Sequence, residues 1–124
     1  MRPIVLWLVM ATLVTFADAS GHWAGTIRDP GADEARSGKL VLHLKQERDV
    51  LTGTAGSDEG HQDAIRNGRV NGDSIAFDVD WGNTAHFELS MHGDEMTGEM
   101  RGDPKQAPPG KHPARLLVAL KRRG

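Results

Sequence analysis

Apolar and polar side chains alternate residue by residue along most of this chain, which leaves it little choice of secondary structure. Leu40, Leu42 and Leu44 share one face, against Val41, His43 and Lys45. Ile75, Phe77, Val79 and Trp81 alternate with Ala76, Asp78 and Asp80, and Ala85, Phe87, Leu89 and Met91 with His86, Glu88 and Ser90. Leu116, Val118 and Leu120 make another such face. Successive strand residues point to opposite sides, so this is the period of half-buried β-strands rather than helices. Turn-forming runs separate them: Asn71-Gly72-Asp73-Ser74, Gly82-Asn83 and His92-Gly93-Asp94.

The pattern predicts strands over 21–28, 39–46, 50–56, 64–70, 75–81, 85–92, 95–101 and 114–121. Short strands at near-regular spacing without helices indicate an all-β sandwich or barrel. The chain has no cysteine. An eight-stranded antiparallel up-and-down β-barrel would remove exposed sheet edges without disulfide staples.

The first residues follow a different pattern. Arg2 precedes an apolar run from Ile4 to Phe16, and Ala17-Asp18-Ala19 has the form of a signal-peptidase site. Residues 1–19 are therefore expected to be a secretory signal, and residues 20–124 a single β-barrel domain that is periplasmic or secreted and begins at Ser20. The apolar run is short for a membrane span, which needs roughly 20 residues. No membrane insertion is expected after cleavage. All 15 glycines follow the leader, tyrosine is absent, and the aromatics beyond it are Trp23, Phe77, Trp81 and Phe87. A net charge of −2 gives no basic footprint for nucleic acid.

Parity argues for one register between the strands 75–81 and 85–92. A three-residue loop, Gly82 to Thr84, pairs Val79 with Phe87 and Phe77 with Leu89, and sets Asp80 opposite His86. A one-residue slip would turn every side chain to the other face. Gly25, Gly53 and Gly98 fall inside strands, where a bend or a close backbone approach would require them.

Gly21-His22-Trp23, at the start of the first strand, resembles the G-x-W signature of lipocalins and their calycin relatives. The resemblance implies that Trp23 closes the base of a barrel. It also implies that a basic residue ending the last strand, Lys121 or Arg122, packs across it as a cation–π contact. A looser similarity to avidins covers Leu51-Thr52-Gly53-Thr54 and the run from Ile75 to Trp81, with Trp81 where avidins place a biotin-lining tryptophan. The chain has no tyrosine and no later tryptophan to complete an avidin-type aromatic box, so biotin binding does not carry over.

In a meander, the loops after odd-numbered strands all lie at one end. Those expected there are long at 29–38 and 102–113 and intermediate at 57–63; those at the other end are short, at 47–49, 71–74 and 93–94. Binding groups favour long loops on a rigid scaffold, and barrel mouths favour ligands. The modest bulk of inward residues such as Gly25, Gly53, Ala85 and Met100 would leave space. The expectation is a small apolar or amphipathic ligand at the open end, touched by Trp81, Phe77, Ala85, Met100 and His61. A secreted protein-binding module of hydrolase-inhibitor type, working through loops 29–38 and 102–113, is the alternative, and a structural envelope role is a third. The six histidines (22, 43, 61, 86, 92 and 112) form no ligand-spaced pair along the sequence, and no catalytic arrangement is legible. Neither a metal, a cofactor nor an enzymatic activity is expected.

Overall fold

The computed structural model describes residues 18–30, 38–103, 105 and 115–123. They form eight strands: β1 (Gly21–Arg28), β2 (Gly38–Glu47), β3 (Val50–Asp58), β4 (His61–Asn71), β5 (Ser74–Trp81), β6 (Asn83–His92), β7 (Glu95–Gly102) and β8 (Arg115–Arg123). Each strand pairs antiparallel with its sequence neighbour, and β1 pairs with β8, so the sheet closes into a barrel. Residues 1–17, most of the expected signal, lie outside the described residues.

The alternation seen in the sequence becomes the inner wall. Leu40, Leu42, Leu51, Ile75, Phe77, Val79, Phe87, Met96 and Leu120 are buried together with Trp23. Where β1 meets β8, a Cβ on Gly25 would lie 1.9 Å from the Ala119 carbonyl oxygen, so only glycine lets these two strands come this close.

At one end the reversals are tight two-residue turns, Arg48-Asp49, Gly72-Asp73 and Gly93-Asp94, each with a positive φ at its first residue. This end is also sealed by side chains. Trp23 faces Leu42 on one side and Arg122 on the other, and is fully buried. The Arg122 guanidinium carbon lies 4.4 Å from the centre of the indole. Arg122 also donates to the Ser20 carbonyl, to the Asp18 carbonyl at 3.0 Å and to the Asp94 carboxylate at 2.9 Å. Lys121 is exposed on the outer face.

Asp18 and Ala19 belong to this seal. Ala19 is 0 % exposed, its carbonyl accepts the Trp23 indole N–H at 2.9 Å, and its N–H donates to Gln46 Oε1 at 2.8 Å. Two residues that precede Ser20, the expected start of the domain, thus make contacts with the base of the barrel.

The β5–β6 register differs from the one expected. Phe77 pairs with Phe87, Val79 with Ala85 and Trp81 with Asn83, so partners shift by two positions and parity survives. The cause is a tighter reversal: Gly82 alone, at φ 93°, turns the chain, and its N–H donates to Asp80 Oδ1 at 3.1 Å. Asp78, rather than Asp80, therefore meets His86, at 2.7 Å. The expected 57–63 loop is also absent, because β3 and β4 extend until only Glu59 and Gly60 remain between them.

Two stability outcomes follow from the seal. Trp23→Ala should cost about 3–5 kcal/mol, the usual range for truncating a buried large aromatic. Lys121→Ala should stay within about 0.5 kcal/mol of wild type, as for most surface changes. Equal denaturant midpoints for Trp23→Ala and wild type would contradict the base described. A chain starting at Ser20 should be less stable than one starting at Asp18 by about 1–3 kcal/mol, since the Trp23 N–H loses its buried acceptor. Matching unfolding curves for the two chains would show that the Ala19 seat adds nothing.

Candidate functional site

The opposite end gathers the last residues of odd-numbered strands and the first residues of even-numbered ones. A cleft of about 310 Å³ opens there. Ile27 comes from β1, Lys39 and Leu40 from β2, Gly56 and Ser57 from β3, His61 and Asp63 from β4, and Trp81 from β5.

Trp81 continues the inward series of β5, yet it is 39 % exposed. Its ring stands edge-on to Phe87, with centroids 5.9 Å apart and planes at 84°. Beneath it Phe87 stacks on Phe77, with centroids 4.7 Å apart and planes at 16°. Trp81 is therefore seated on one side by packed aromatic rings and wet on the other, a geometry that suits an amphipathic indole.

The β3–β4 hairpin builds the polar wall. Asp58 accepts the Gly60 N–H at 2.8 Å and meets the His61 Nδ1 at 2.8 Å. The His61 hydrogen bond, with the Gly60 N–H adding to it, holds the Asp58 carboxyl below the usual carboxylate range. Gln62 ties the hairpin to its neighbours: its Oε1 accepts from the Thr54 hydroxyl at 2.7 Å. Its Nε2 donates to the Asp58 carbonyl at 2.8 Å and the Val41 carbonyl at 3.3 Å. Gly56 permits this closeness, since a Cβ there would lie 1.5 Å from the His61 carbonyl oxygen.

Of the five expected ligand contacts, Trp81 and His61 line the cleft. Phe77 and Ala85 are buried in the core below, 1 % and 5 % exposed. Met100 is half-buried, packs against that core and pairs with Phe87 across β6 and β7. Stacked Phe77 and Phe87 form the part of the core directly below Trp81. The cleft residues not foreseen were nevertheless accessible to parity: Ile27 and Leu40 share the inward phase of Trp23 and Leu42, at the strand ends nearest the mouth.

A wider groove of about 900 Å³ crosses the outer face near Arg69, Ala76, Glu88 and Glu99. Its apolar lining residues Val70, Ile75 and Leu89 are buried core residues, and Glu99 is ion-paired with Arg115. It presents no exposed aromatic ring comparable to Trp81.

Comparison with known proteins finds no family model, no curated protein and no solved structure that matches this chain.

Gly56→Ala tests how the polar wall is held. The added methyl cannot fit without separating β3 from β4, so the variant should lose about 1–3 kcal/mol, as overpacked sites do. Gly60→Ala is the control, because its Cβ would meet nothing closer than 3.5 Å. Equal thermal midpoints for the two variants would contradict the constraint assigned to Gly56.

Proposed function

We propose that this protein is an exported, calycin-like barrel that binds a small amphipathic molecule in the rim cleft rather than deep in its interior. The observation that carries the reading is Trp81, a large aromatic left 39 % exposed beside Ile27 and Leu40 at the edge of a concave cleft. Lys39 and His61 on the same rim offer donors to a polar or anionic head, while the apolar residues take the body. A volume of about 310 Å³ favours a short chain or a single ring system over a long lipid.

The calycin-like assignment draws support from the base, where Arg122 stacks on the tryptophan of Gly21-His22-Trp23. Export rests on the apolar leader and its Ala17-Asp18-Ala19 end. The alternative of a protein-binding module depends on loops 29–38 and 102–113, whose central residues lie outside the described ones.

Fluorescence titration distinguishes these readings. Trp81 is exposed and Trp23 is fully buried at the opposite end, so a ligand at the rim should change Trp81 emission alone. Short-chain fatty acids and a hydrophobic dye should give saturable changes in wild type. Trp81→Phe should remain folded and lose the response. No saturable change with any probe, or an identical response from Trp81→Phe, would count against the rim as a binding site.

A further inference from the structure

The outer face of β1 and β2 carries a second constellation that neither the ligand reading nor the fold uses. His22 and His43 are directly opposed in the β1–β2 register, one residue out of phase with the inward Trp23 and Leu42. Their rings meet edge to face, with centroids 4.0 Å apart. Glu59, at the tip of the β3–β4 hairpin, reaches back over the sheet so that its Oε2 lies 2.9 Å from His43 Nε2. One donor atom from each of the three residues falls within 4.8 Å of the other two.

We propose that His22, His43 and Glu59 form a binding site for a divalent transition-metal cation of the zinc type. Two imidazoles and one carboxylate form a donor set that suits zinc, while calcium and magnesium call for oxygen donors. Bond lengths of about 2.0–2.2 Å set tetrahedral donors roughly 3.3 Å apart, so a modest side-chain rotation closes the observed spacing around an ion. A fourth position stays open to water. His22 and Glu59 are exposed and His43 is half-buried, which leaves the rings free to make that adjustment.

The turn that carries Glu59 is held by its neighbours. Asp58 holds the turn through the Gly60 N–H, and Gln62 fastens the hairpin to β2 through the Val41 carbonyl. With the turn so held, Glu59 meets His43 across the sheet. The site is separate from the rim cleft, since none of its three residues lines that cleft.

Zinc chloride titrated into the purified, untagged protein in a non-coordinating buffer tests the assignment by calorimetry. One equivalent should bind. His22→Ala and His43→Ala should each weaken binding at least tenfold, and Glu59→Gln should weaken it by a smaller factor. His92→Ala, which removes an exposed histidine outside both the cluster and the rim cleft, should leave the affinity unchanged. In NMR spectra zinc should shift the His22 and His43 imidazole signals selectively. All four single variants alter side chains outside the core, so circular dichroism should report an intact barrel in each. No binding at millimolar zinc, or undiminished binding when both His22 and His43 are replaced by alanine, would overturn the proposal.

Discussion

Closure of β1 onto β8 is the constraint on which the rest of this barrel depends. A sheet of short strands with a thin core exposes pairing groups at both edges unless the ends meet. Here the seam is joined by backbone pairing from His22–Arg123 to Arg28–Leu117, and its base is locked by one arginine. Arg122 covers the Trp23 ring, binds two carbonyls of the segment entering β1 and reaches Asp94 in the β6–β7 turn. One side chain thus connects the first strand, the last strand and a hairpin in between. In a chain without cysteine, that contact does the work a disulfide would otherwise do.

The sealed base bears on the other end. Trp23, Phe77 and Phe87 are buried in the core, and among the described residues Trp81 is the aromatic left exposed, at the rim where binding is proposed. Trp81 is the transition point, packed on Phe87 below and open above. The same hairpin that walls the cleft with Ser57 and His61 carries Glu59 to the outer face beside His43. Gln62 and Gly56 therefore shape two surfaces at once, through contacts local to β3 and β4.

Strand number, strand order and inward parity were legible because alternation is a property of each segment alone. Features that depend on how segments meet were not. The one-residue reversal at Gly82 could not be told from a three-residue loop, because both preserve parity. The bulge at Asn67, with φ 55°, shifts the β4–β5 register, and the Asn67-Gly68 pair that marks it reads equally as a hairpin turn in the sequence. His22 and His43 are far apart in sequence and become neighbours only through the β1–β2 register, so no ligand spacing along the chain could reveal them. The small-residue pattern around Ala19 carries no sign that its carbonyl accepts the Trp23 indole N–H, a contact that only the folded chain makes. In the site itself, Trp81 and His61 were foreseen by their position at the mouth. Phe77, also expected at the ligand, lies in the core, 1 % exposed and stacked on Phe87.

The central claim is that binding occurs on the rim of the barrel. Backbone and indole amide shifts followed while a short-chain fatty acid such as hexanoate is titrated in would test it most directly. The account predicts saturable shifts confined to Ile27, Lys39, Leu40, Gly56, His61 and the Trp81 indole, with Phe77, Phe87 and Trp23 unmoved. Shifts centred on Phe77 and Phe87 would mean that the interior opens to take a guest. Their dispersal over the outer face would mean that the rim is not the site.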